Sequence, residues 1–163
     1  MKKFLAQSIA LLLVIAVLLI FFSPNNSFNR LDLPFLPQKD ATSKLEVNGV
    51  TFNVEIADTE SKRNKGLSNR DSIASDSGML FVFSKPDKYV FWMKGMKIPL
   101  DFIWIKDNKV VDLLSNIQPP KSGEKDESLS VYSSKQEFNK VLEVAAGTIS
   151  RLNIKVGDII KMP

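Results

Sequence analysis

The run FWMKGMKIPLDFIWI at residues 91–105, close behind GMLFVF at residues 78–83, constrains this chain more than any other stretch. Seven aromatic residues fall between Phe81 and Trp104, and Lys94, Gly95, Pro99 and Asp101 break the apolar run. Two buried strands joined by a shaped loop are the simplest reading, and that loop is the first place to look for a site. Phe91, Met93, Ile103 and Ile105 recur at period two and are expected in the core. Trp92 falls on the face opposite Phe91 and Met93. Its ring and N–H suit it to packing or to stacking on a ligand.

Composition narrows the chemistry. At 163 residues the chain has room for one domain and an appendage. The formal charge of +4 falls to +2 once Lys2 and Lys3 are set aside, leaving 20 basic residues (22 − 2) against 18 acidic ones. Scattered rather than striped, those cations do not suggest nucleic acid as a partner. The chain has no Cys and no His, so a disulfide framework, a thiol nucleophile and the commonest general base are all missing. No cofactor is implied. Met79, Met93 and Met96 could offer thioethers to a soft metal, but methionine is a routine core filler, and no metal is expected.

Residues 4–22 carry no charge, and residues 9–22 are unbroken apolar sequence. As a helix the segment reaches roughly 28 Å, about the hydrocarbon thickness of a bilayer. No small-residue cleavage site follows it, so an uncleaved anchor is expected over residues 1–22 rather than an export signal. Lys2 and Lys3 precede the span and the next basic residue is Arg30. The positive-inside bias then puts the N-terminus in the cytoplasm, with a single pass of the cytoplasmic (inner) membrane and an extracytoplasmic domain. Residues 23–43, with Pro24, Pro34 and Pro37, read as a tether.

From residue 44 to 163 the patterning is that of short strands. Residues 45–56 alternate around Asn48-Gly49, a hairpin signal, because both residues accept the positive φ of a two-residue turn. Asp58 or Thr59 caps a helix over residues 60–65, with Gly66 just past its end. Strands are expected at 80–83 and 88–93, and a second hairpin over 102–106 and 109–114. An exposed loop follows at 118–130 and a helical turn at 134–139. Strands at 140–144 and 158–162 flank a short helical stretch after Gly147. The fold class is therefore mainly β, a compact sandwich or barrel-like domain with two short helices, preceded by one transmembrane helix.

Arg63-x-x-Gly66-Leu67-x-x-Arg70, then Gly78-Met79-Leu80-Phe81-x-Phe83, Phe91-Trp92-Met93-Lys94 and Pro99-Leu100-Asp101 occur in that order. With Val141-Leu142-Glu143, Gly147 and Gly157-Asp158, this pattern resembles the domain-of-unknown-function family numbered 192, DUF192. The resemblance covers about residues 44–161. It implies a small mainly-β domain, often exported or anchored in prokaryotes, and brings no established activity. Two departures stand out. The family usually has Met where Ser68 stands, and Asn-Thr where Gly95-Met96 stands.

Candidate ligand-binding residues are Arg70, Trp92, Lys94 and Asp101. Asp101 opens a strand after a proline turn, where a carboxylate commonly accepts its own turn's N–H groups. It could instead serve as an acid or base, or meet Arg70 or Lys94 in a pair that recognises an anion. Glu143 and Asp158 are a carboxylate pair of the sort that arises freely among 18 acidic residues. No catalytic set is assembled by sequence. The leading expectation is a non-catalytic binding or envelope-accessory module, with a glycan, an anionic small molecule or an envelope protein as ligand. The competing one is a carboxylate-dependent hydrolase or lyase acting on envelope polymers, led by Asp101. A purely structural role in a membrane assembly is the third.

Overall fold

The computed structural model describes residues 42–162. The expected anchor and almost all of the tether lie outside those residues. Among the described residues no helix is long and apolar enough to cross a membrane.

β1 (Thr42–Val47) and β2 (Val50–Ala57) form the expected hairpin, with Asn48 at φ 48° and Gly49 at φ 81°. The chain then crosses through α1 (Glu60–Lys65) before β3 (Ser77–Asp87) pairs parallel to β2. Thr59, not Asp58, caps α1, its Oγ1 accepting from Lys62 N at 3.3 Å. Gly66 closes the helix at φ 49°, a backbone that side chains rarely adopt. β4 (Phe91–Trp92), β5 (Leu100–Lys106) and β6 (Lys109–Ile117) follow, then a 3-10 turn (Asp126–Ser128). β7 (Val131–Tyr132), β8 (Phe138–Ala145), α2 (Thr148–Arg151) and β9 (Ile160–Lys161) complete the domain.

Seven strands make one sheet in the order β6-β5-β8-β3-β2-β1-β9, and β4 pairs with β7 in a small separate ribbon. The large sheet curls into a half-barrel. Its outer strands meet at one end, where Val110 N donates to Asp158 O at 2.9 Å and Ile160 N to Asn108 O at 2.8 Å. The sandwich alternative is thus replaced by one curled sheet. A core of Leu45, Phe52, Leu80, Ile103, Leu142 and Ile160 fills one side of it. A second core on the opposite face of β3, β5 and β8 holds Phe81, Phe102, Trp104 and Val141. Leu67, Met93 and Met96, from the β2–β3 and β3–β5 connections, cover that face. Both faces of β5 are therefore covered, and Leu100 through Ile105 are all buried. That is why residues 100–105 read as a nearly continuous apolar run rather than an alternation.

Two local expectations fail. Of residues 88–93 only Phe91 and Trp92 are strand, because β3 itself runs on to Asp87. The helical turn at 134–139 is absent. Ser134 Oγ and Lys135 N both donate to Asp112 Oδ2 (3.3 and 3.0 Å), and Phe138 already begins β8. Side-chain bonds to a neighbouring strand outcompete the local helix.

Gly78 brings β3 and β8 together closely. A Cβ there would lie 2.6 Å from the Glu143 carbonyl oxygen, so any side chain would force the strands apart directly beneath Glu143.

Candidate functional site

A pocket of about 270 Å³ opens on the second-core side of the sheet. That is just under the ~300–1,000 Å³ of sites for drug-sized molecules. Residues 63–67, at the end of α1, form one wall. Phe81 and Phe83 of β3, Tyr89 and Val90 of the following loop, and Phe91 and Trp92 of β4 form the other. Lys94 stands at the rim, and Met96 and Glu143 complete the lining.

Glu143 is the residue that sets the pocket's chemistry. β8 alternates, so Leu142 and Val144 enter the first core while Val141 and Glu143 turn to the second face. In register beside Glu143 are Met79 on β3 and Phe102 on β5, neither able to pair with a carboxylate. Its side chain is 5% exposed and lines the pocket, and no hydrogen-bond partner for its carboxyl occurs among the described residues. Burial alone pushes its pKa from the ordinary 4.5 up to about 8. At neutral pH it is mainly a protonated acid, able to donate one hydrogen bond into the pocket.

The aromatic walls are braced by one another. Phe81 meets Phe91 edge-on at 5.3 Å between centroids, and Phe83 stacks on Tyr89 at 3.7 Å. The Arg63 guanidinium lies 5.1 Å over the Phe83 ring and donates to the carbonyls of Asp58 and Val82. Lys94 Nζ lies 5.7 Å over the Trp92 ring and pairs with Asp126 of the 3-10 turn. Two of the chain's own cations thus rest on rings at this pocket.

The four sequence candidates separate into three places. Trp92, 53% exposed, and Lys94 both line the pocket. Arg70 makes a bidentate pair with Glu55 beside a much smaller cavity of about 20 Å³. That pair holds the Glu55 carboxyl below its usual range. Asp101 is fully buried, its Oδ1 accepting from Asn116 N and its Oδ2 from Ile149 N, both at 2.8 Å. Lys94 pairs with Asp126 instead, and Asp101 does not line the pocket. Glu143 and Asp158 are not a pair either, since Asp158 caps Lys155 N and accepts from Asn48 Nδ2. Met79, Met93 and Met96 are all buried in the second core.

Sequence reasoning passed over Glu143 as one acid among many. The signal was its setting, a lone carboxylate between Leu142 and Val144 in a strand buried on both faces. The two departures from the family pattern turn out to be neighbours. A Cβ on Gly95 would lie 3.3 Å from Ser68 Cβ, and Asn69 N donates to Gly95 O at 2.8 Å. Met96, the second of the two residues there, is part of the pocket lining.

Two solved structures are similar to this chain. A "putative transcription regulator" from Sinorhizobium meliloti 1021 is 29% identical at a TM-score of 0.69, over 78% of this chain and 98% of the other. A protein of unknown function from Novosphingobium aromaticivorans DSM 12444 is also 29% identical, with a TM-score of 0.65, over 75% of this chain and 84% of the other. No curated protein matches the sequence. The family model that matches, described as "Uncharacterized ACR", spans residues 43–162, all but the first of the described residues. The chain belongs to the DUF192 family.

Proposed function

We propose that the domain is a non-catalytic binding module that takes a small ligand into the Glu143 pocket, carried outside the cytoplasm by an N-terminal membrane anchor. One observation carries the binding reading: a buried carboxyl without a partner faces a cavity walled by aromatic rings. Its withdrawal from bulk water keeps the proton on the acid to about pH 8, so a donor stands ready at the pocket. A fold that needed only a filled core would place Leu or Met at this position. A ligand atom that accepts its proton gives the acid the hydrogen-bond partner that the described residues lining the pocket do not supply.

The hydrolase reading has less behind it. Polymer hydrolysis by carboxylates needs two such groups flanking one bond. Among the described residues that line the pocket, Glu143 is the one carboxylic acid. Asp101, the expected lead, spends both oxygens on backbone N–H groups.

Intrinsic fluorescence tests the binding reading, because Trp92 stands at the pocket and Trp104 is buried away from it. A panel of glycans, organic acids and amines is expected to give at least one saturable change in the wild type. Glu143→Leu should abolish it while the far-UV spectrum stays unchanged. A panel that leaves both proteins equally silent overturns the reading.

The anchor rests on residues 4–22 and on Lys2 and Lys3. It predicts that the protein stays with membranes through an alkaline carbonate wash. Protease added to intact spheroplasts should then digest the domain, whereas protection of the domain until the cells are lysed would refute the orientation.

A further inference from the structure

We infer that the pocket takes a small organic carboxylate, its acid group at the cationic rim, its apolar body against the rings, and a carbonyl-type oxygen accepting from Glu143. The inference rests on the binding-module reading and adds the ligand's chemical class.

The charge lining the pocket is lopsided. Arg63, Lys65 and Lys94 stand against the single carboxyl of Glu143. Lys94 is paired with Asp126, but neither Arg63 nor Lys65 has a carboxylate within ion-pair distance among the described residues. The Arg63 hydrogen bonds go to two neutral carbonyls, which leave its charge uncompensated by contact. An anion approaching this rim is attracted by two cations without an ion pair of their own, whose field reaches only the more distant carboxylates of Asp58 and Glu55.

A cationic ligand meets the opposite situation. Aromatic pockets recognise ammonium groups through the faces of their rings. Here the face of Phe83 is taken by Arg63 and that of Trp92 by Lys94, so an incoming ammonium would have to displace like charge. A polyol fares poorly for a different reason. Phe81, Phe91, Leu67 and Met96 offer its hydroxyls no hydrogen bond, and each buried hydroxyl left unpaired weakens binding. A flat apolar body with one acceptor at depth and one anion at the rim matches the Glu143 acid, the rings and the cationic rim together.

The depth end has its own signature. Glu143 can donate to a carbonyl only while protonated. The other titratable groups at the pocket are Arg63 and Lys65 from the α1 end, Lys94 beyond β4, and Tyr89, whose hydroxyl donates to Lys85 O. The residues beside Glu143 on β3 and β5, Met79 and Phe102, do not titrate. Proton loss from Glu143 near pH 8 should therefore dominate the affinity profile.

The test is calorimetric titration of purified full-length protein with four probes at pH 6.5. They are 4-acetylbenzoate, benzoate, 4-(aminomethyl)acetophenone and methyl glucoside. 4-Acetylbenzoate should bind tightest, about five-fold ahead of benzoate, which lacks the acceptor. It should bind about ten-fold or more ahead of the amine, which keeps the acceptor and reverses the charge. Raising the pH to 9 should weaken it about ten-fold, because roughly one tenth of Glu143 stays protonated there. Glu143→Gln, which keeps a donor, should bind and lose that pH dependence. Lys65→Glu should weaken the acid and strengthen the amine. Tighter binding of the amine or of methyl glucoside overturns the carboxylate and leaves a binding module standing. Silence from all four probes overturns the carboxylate, and if the wider panel is silent as well, the module reading falls with it.

Discussion

Asp101→Ala is expected to lower the stability of the domain by about 3–5 kcal/mol, with the melting temperature falling by more than about 10 °C. The carboxylate is fully buried and is the bond partner of two backbone N–H groups, one at Asn116 near the end of β6 and one at Ile149 in α2. Its removal takes the acceptor from both part-buried N–H groups and opens a void where a fully buried side chain stood, and the two losses add. Asn116 itself sits at φ 57°, where the β5–β6 register shifts, so the Asp101 bond also pins an irregular backbone. Asp101→Asn should recover only part of the loss, because its amide presents N–H to N–H on one side. Urea unfolding of both variants measures the effect. A loss below about 1 kcal/mol together with abolished ligand binding would contradict this assignment and return Asp101 to the site.

The second large effect has the opposite sign. Glu143→Leu is expected to raise stability at pH 7 by about 3 kcal/mol while abolishing binding. The unfolded chain ionises this carboxyl near 4.5, whereas the folded protein holds the proton up to about pH 8. Below 4.5 both states are protonated and ionisation adds no penalty. Between 4.5 and 8 the folded state binds more protons than the unfolded one, so stability falls by about 1.4 kcal/mol per pH unit. At pH 7 that is 2.5 units, hence the figure above. Glu143→Gln should flatten the slope over this window. The carboxyls of Glu55, Asp58 and Asp158 shift the other way, each held below its ordinary value by hydrogen-bond partners. They destabilise the fold only as the pH drops through the acid range, and so leave the window above pH 5 to Glu143. Denaturation of wild type and Glu143→Gln at pH 5, 6, 7 and 8 should show the two curves parting steadily with pH. Parallel curves would mean that the carboxyl is solvated or paired in solution, which removes the basis for the pocket's chemistry. A site residue that weakens the fold it sits in is the usual trade of stability for function.

Local chemistry was readable along much of the chain. Asn48-Gly49 made the first hairpin legible, because few other residue pairs tolerate two positive φ values in succession. Thr59 and Gly66 bounded α1 for similarly local reasons. Trp92 was legible as the odd member of a period-two run, and Lys94 as its neighbour, and both line the pocket. Asp101 was drawn toward the same loop by proximity in sequence, and Arg70 as a cation able to meet it, but neither lines the pocket. The apolar run at residues 100–105 left sandwich and barrel both open, because a strand covered on both faces carries the same run in either.

What the sequence determined by itself was the set of features that depend on near neighbours: strand periodicity, turn residues, helix caps, the family pattern, and the position of the aromatic block. Those follow from backbone sterics and short-range hydrogen bonding, which a few consecutive residues fully specify. Only the tertiary structure decided that a single sheet curls, that Asp101 ends under α2, and that Glu143 faces a cavity rather than water. The burial of Glu143 depends on Met79, Phe102 and the loop over residues 88–98 meeting around it. Desolvation is a property of that whole enclosure, and no stretch of the chain carries it alone.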